Sequence, residues 1–198
     1  MELEIFEKLV MHNDRKAIDF LKSDEFDPTE LDSFGEPAIT SLIYLYGAKE
    51  TKEEVKALIF EMLNIWFDKY STNLSALNAL DLNFDTPIHI AAEIPALNEF
   101  TKKLVTCFWV NLNIVNDFGC SPFGTALKNG NIEIADLIAE QRGFLIRPYE
   151  EARIKSVYRL NDYEMKYPDV KIERNTHKVT IENVQSKTER KRIRVKTK

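Results

Sequence analysis

The chain has 198 residues, 44% hydrophobic and 30% charged, with a formal net charge of −5. That is the composition of a soluble globular protein with apolar material for one continuous core. No apolar run reaches the roughly 20 residues of a membrane-spanning helix, the richest being Val105 to Val115 with polar interruptions.

The opening MELEIFEKLV is acidic and amphipathic, unlike a signal peptide. Cys107 and Cys120 are too few for a disulfide framework, so both are expected to be reduced, in the cytoplasm or, in a eukaryotic cell, the nucleus. Phe6, Leu9, Val10, Ala17, Phe20 and Leu21 fall at helical spacings, with no turn signal ahead of them. Asp32-Ser33-Phe34-Gly35 reads as a turn, followed by Pro37 and the apolar positions Ile39, Leu42 and Ile43.

Thr51 and Glu54 have capping-box spacing. From there Val55, Leu58, Ile59, Met62, Leu63, Trp66, Phe67 and Tyr70 predict one helix of roughly twenty residues. Ala57, Phe60 and Ile65 broaden its apolar stripe, so it is expected to cover either neighbouring elements or a partner. Phe84 stands where a later turn has Gly119, and a bulky residue resists positive φ, so the turn at Phe84 is expected to be built differently. A helix from about Leu97 to Trp109 is expected to bury Phe100, Leu104, Val105 and Phe108. Asn116 to Gly119 then turns into a short helix near Ser121-Pro122, a break at Gly130, and a helix carrying Ile134, Leu137 and Ile138.

Two stretches carry a family likeness. Thr86-Pro87-Ile88-His89-Ile90-Ala91-Ala92 and the turn–helix–Gly130–helix unit of residues 116–138 resemble the ankyrin repeat, a unit of about 33 residues with a β-turn and two antiparallel helices. The resemblance implies a mainly α fold: a solenoid of four repeats at about 1–31, 32–82, 83–115 and 116–146. On that register Asn13, Tyr46, Pro95 and Gly130 share one loop position, at intervals of 33, 49 and 35 residues, the longest holding the long helix and the segment Asn73 to Asn83. In that family the histidine of the Thr-Pro-x-His stretch orients the neighbouring turn, which implies a structural role for His89. Residues 147–168 are expected to form a capping helix, opened by Pro148, and a linker. Residues 169–198 are a β-prone basic tail, in which Val170/Ile172, Val179/Ile181 and Ile193/Val195 alternate with polar residues and Asn175-Thr176 suits a hairpin turn.

Catalytic signals are sparse. There is no glycine-rich phosphate loop, His-Glu-x-x-His or Cys-x-x-Cys. His12, His89 and His177 lack metal-ligand spacing. Gly119 to Gly124 is one residue too long for a nucleophile elbow. No catalytic residue, metal or cofactor is therefore expected, and the acidic residues read as solvated surface.

What remains is surface recognition. The resemblance implies a concave side of turn tips and first helices that binds another protein. Its register points to Lys8, Met11 and His12, then Ser41, Tyr44 and Leu45, then Ile90, Glu93 and Ile94, then Thr125, Lys128 and Asn129. The tips add Phe34, Phe84 and Phe118. Tyr44, Leu45, Ile90 and Ile94 are expected to form an exposed apolar patch, a usual mark of an interface. The expectation is a non-enzymatic adaptor or inhibitor, similar to divergent four-repeat proteins of viruses and bacteria that target host or rival proteins. Nothing in the sequence sets an oligomeric state.

At the carboxyl end Lys187, Arg190, Lys191, Arg192, Arg194, Lys196 and Lys198 oppose only Glu189, giving +6 over residues 185–198 and leaving −11 on the first 184. Three accounts stay open: contact with nucleic acid, a nuclear import address, or a strand laid against the acidic body or an acidic partner. Alternation of Ile193 and Val195 with cations suits the strand, and no aromatic residue for base stacking follows Thr176. The alternative function is a nucleic-acid-associated protein working through this tail.

Overall fold

The periodic apolar segments become helices in the computed structural model, which describes residues 3–147, Glu150 and residues 171–172. In chain order these are α1 (Leu3–Met11), α2 (Lys16–Lys22), α3 (Ala38–Gly47), α4 (Glu53–Tyr70), α5 (Leu74–Leu77), α6 (Pro87–Ala92), a 3₁₀ turn (Pro95–Leu97), α7 (Asn98–Thr106), α8 (Pro122–Lys128) and α9 (Ile132–Ala139). A two-residue strand, β1 (Leu145–Ile146), pairs in parallel with β2 (Lys171–Ile172). The described protein is mainly helical.

Helices pack as consecutive pairs: α1 with α2, α3 with α4, α6 with α7, and α8 with α9. Adjacent pairs also touch, α3 meeting α6 and α6 meeting α8 on one side, while α2, α4, α7 and α9 follow one another on the other. No pair could bury its apolar face alone, and together they share one core running from Phe6 to Ile146.

The extra length of α4 serves this core. Ile59, Met62, Leu63 and Trp66 are fully buried on it, and Phe60, Ile65 and Phe67 lie half-buried against the core, whereas Ala57 is exposed. Its carboxyl end holds the first helix pair. Tyr70 Oη donates to Phe26 O at 3.2 Å, and Lys69 Nζ donates to the carbonyls of Leu21, Lys22 and Ser23 at 3.3, 3.2 and 2.7 Å. A cation there answers the unpaired carbonyls at the end of α2. Phe6, Phe20 and Phe26 stack beside them with ring centroids 5.5–5.8 Å apart.

Several local expectations need correction. Thr51 and Glu54 form no capping box: α4 begins at Glu53 behind Lys52, with no side-chain cap. Thr51 is buried and its amide closes the preceding turn onto Ala48 O. Helix α7 ends at Thr106, so Cys107 lies just past it, and Phe108 is 88% exposed rather than buried. On α9 the inward residues are Ile134, Ala135, Ile138 and Ala139, and Leu137 is only half-buried. The capping helix and linker of 147–168, apart from Arg147 and Glu150, and the rest of the basic tail lie outside the described residues.

Candidate functional site

Three loops share one construction. In each, an Asp or Asn opens the loop, its backbone N–H donates to the carbonyl four residues on, and its Oδ1 accepts two amides. The openers are Asp32, Asp81 and Asn116, donating to Glu36 O, Asp85 O and Cys120 O at 2.9–3.0 Å. Their Oδ1 atoms accept from Phe34 and Glu36, from Asn83 and Asp85, and from Phe118 and Cys120, at 2.8–3.1 Å. These side chains replace backbone partners that a tight turn leaves unpaired.

The fourth position of each loop is left-handed: Gly35 at φ 75°, Phe84 at 59° and Gly119 at 70°. The turn at Phe84 is therefore built like the others, against expectation. The two Oδ1 bonds to Asp81 hold Phe84 in a conformation that costs a non-glycine residue about 1–2 kcal/mol. Adjacent tips also touch. Leu82 lies where a side chain on Gly35 would point, Asp117 N donates to Asn83 O at 2.9 Å, and Asn116 Nδ2 donates to Asp85 Oδ1 at 2.7 Å.

Behind the tips, His89 is fully buried. Its Nδ1 accepts from Thr86 N at 3.2 Å, and its Nε2 donates to Cys120 O at 3.2 Å. Burial pushes the imidazole pKa down to about 4, so the ring stays neutral at pH 7. The equivalent residue of the next unit is Gly124, three after Ser121, where an imidazole is absent. The Glu150 carboxylate takes that place, accepting from Ser121 N at 3.0 Å, Ser121 Oγ at 2.5 Å and Arg147 N at 2.8 Å. Ser121 and Glu150 are both fully buried.

The residues expected to bind a partner are not all placed alike. Phe34, Phe84 and Phe118 are 72%, 51% and 67% exposed at the tips. Tyr44 and Lys128 are exposed on first helices and Glu93 and Asn129 just past the ends of α6 and α8, and Lys128 Nζ lies 5.4 Å from the Phe118 ring centre. Lys8, Met11 and His12 line an open groove of about 420 Å³ with Ser33 and Phe34.

Ser41, Ile90 and Thr125, by contrast, are buried. All three share one register position, and the neighbouring first helices cover it, because α6 is flanked by α3 and α8. Leu45 and Ile94 are half-buried against the core. The expected apolar patch of Tyr44, Leu45, Ile90 and Ile94 is therefore not formed; only Tyr44 of the four is exposed.

In its place lies a strip of carboxylates. Ser41 Oγ lies 3.1 Å from Asp32 Oδ2 and 3.3 Å from Glu36 Oε2. Burial, and then Asp32, raise the pKa of both Glu7 and Glu36. Burial, then Asp81, Asp85, Glu36 and Glu93, hold the Tyr44 phenol well above its ordinary value. Burial pushes Asp85 up to about 6 against the opposing Asn116 hydrogen bond, with Asp81 and Glu93 adding to the rise and Lys128 to the opposition. Burial likewise raises Glu93. Asp81 is 6% exposed and its Oδ2 has no hydrogen-bond partner among the described residues.

These acids are not the scattered solvated surface expected from sequence. The signal was available, since Asp32/Asp81 and Glu36/Asp85 occupy the first and fifth positions of successive loops. The carboxylates are strung along the face: no group of three or more His, Cys, Asp or Glu among the described residues could hold a metal ion. The tail cations Lys187, Arg190, Lys191, Arg192, Arg194 and Lys196 lie outside the described residues. No described helix is long and apolar enough to cross a membrane.

No protein-family model matches the chain, and a search of curated proteins finds no match.

Proposed function

We propose that this chain is a divergent ankyrin-repeat protein of four units that binds a protein partner across its tips and first helices, as a non-enzymatic adaptor or inhibitor. Support for the repeat comes from three like-bonded loops, each leading into the first helix of a pair, and from a buried histidine bonding one loop to the next. The observation that carries the binding role is the row of tip aromatics. Phe34, Phe84 and Phe118 stay largely exposed, and Phe84 does so at φ 59°, where glycine would be less strained. Local strain tends to be held at functional sites, and an exposed aromatic side chain there is suited to contact.

Partner anchors are few and central, each costing more than about 2 kcal/mol on truncation. The test is affinity capture by the full chain beside its Tyr44→Ala, Phe118→Ala and Asp68→Ala forms. Loss of the captured protein with the first two substitutions and retention with Asp68→Ala on α4 is the expected result. The reverse pattern would place the interface on the opposite side and sink this reading.

Charge segregation keeps one alternative, nucleic-acid association through Lys187 to Lys198. The acidic strip weighs against an extended phosphate contact across the face itself.

A further inference from the structure

The acidic strip is poorly neutralised by its own surroundings. Glu7, Asp32, Glu36, Asp81, Asp85 and Glu93 follow one another from α1 across two tips to α6, and Lys128 stands at one end. Asp81 supplies an independent sign of a missing partner: it is 94% buried, and its Oδ2 has no donor within the described chain. A buried carboxylate oxygen without a donor is costly. A cation arriving beside Glu36 and Asp85 would balance it, and the exposed ring of Tyr44 offers a guanidinium a face to stack on.

The same chain carries a matching occupant. Residues 185–198 hold a net +6 against −11 on the rest. The last described residues, Lys171–Ile172, lie beside β1, just after the final helix pair. Seventeen residues separate Ile172 from Arg190, enough to span up to about 56 Å when extended. Three steps between helix pairs, at about 8–10 Å each, cover only about 30 Å. A tethered segment of this kind meets its site at an effective concentration in the millimolar range.

We propose that the basic segment Lys187–Lys198 of this same chain docks along the acidic strip. Arg190, Arg192 and Arg194 supply the guanidinium groups for these carboxylates. The contact requires no partner, so it stands or falls separately from the adaptor reading.

The test is zero-length carbodiimide cross-linking of the full chain, read by mass spectrometry. Amide links from Lys187, Lys191 or Lys196 to Glu36 and Glu93 should form within one chain, at a yield independent of protein concentration. They should fall about tenfold between low salt and about 1 M salt, where the screening length shrinks to roughly 3 Å. The full-length Arg190→Gln/Arg192→Gln/Arg194→Gln form keeps every cross-linking lysine and leaves the described body unchanged; it should lose the same links about fivefold or more. Links only between copies would make a second chain the occupant and overturn the proposal. So would links to Asp68 on the opposite side as frequent as those to Glu36, no links at all, or an arginine variant that behaves as wild type. Partner capture that succeeds while these links are absent would leave the adaptor reading intact and this one refuted.

Discussion

His89 Nε2 donates to Cys120 O across 31 residues of sequence, at 3.2 Å, and joins the second turn tip to the third. The proton on Nε2 is fixed by the opposite side of the ring, where Nδ1 accepts from Thr86 N. The imidazole thus works only when neutral, and its protonation is opposed by burial.

That opposition sets a pH dependence. The folded pKa is about 4 against an ordinary value of 6.5, so the unfolded chain takes up a proton first as pH falls. Stability from this group is complete above about pH 6.5 and is lost as pH drops toward 4, by up to about 3 kcal/mol. Asp85 acts in the opposite sense, because its carboxyl is raised from 3.8 to about 6 and the folded state gains stability as pH falls through that interval. Urea unfolding at pH 7, 6 and 5 should show a steeper acid loss in Asp85→Asn than in wild type. A His89→Ala chain should be less stable at pH 7 by about 1–3 kcal/mol from its unpaired neighbours, with a flatter profile. A wild-type slope in both variants would contradict the assignment.

Gly124 and Glu150 form a second coupled pair. A Cβ built on Gly124 would lie 2.5 Å from Glu150 Oε1, inside any permitted contact. Gly124→Ala should displace the carboxylate from Ser121 and destabilise by about 1–3 kcal/mol, as should Glu150→Ala. The two losses share a cause, so the double substitution should cost less than their sum by about 1 kcal/mol or more. Additive losses in denaturant unfolding would show that the carboxylate does not occupy the place of the absent histidine side chain.

At the tips, glycine and phenylalanine hold the same left-handed position with opposite consequences. Phe84→Gly should raise stability by up to about 1 kcal/mol while weakening partner capture, because it removes strain and an exposed ring together. Gly35→Ala should destabilise by about 1–2 kcal/mol at φ 75°. Thermal unfolding of the two single variants decides this; a loss above about 1 kcal/mol for Phe84→Gly would mean that its packing outweighs the strain.

On α9, Ile138 is fully buried and Leu137 is not. Ile138→Ala should therefore cost about 2–5 kcal/mol, and Leu137→Ala distinctly less. Equal losses in chemical denaturation would place α9 in a different rotation.

The sequence by itself determined the helix pairs, the turns opened by Asp32 and Asn116 and the structural use of His89, whereas Tyr46, expected at a loop position, lies inside α3. Each rests on short-range chemistry: apolar residues at 3.6-residue spacing, proline at a helix start, and an Asp or Asn accepting nearby amides. Tertiary structure decided which side of each short helix stays open. Ser41, Ile90 and Thr125 looked available in a single unit, yet neighbouring helices cover them. Only stacking aligned Glu36, Asp81, Asp85 and Glu93 into one strip, because residues dozens of positions apart acquire a common electrostatic field only after they share a face. The same holds for Phe84: its side chain argues locally against a left-handed turn, and the two Asp81 bonds, reinforced by contact with the adjacent tip, hold it there.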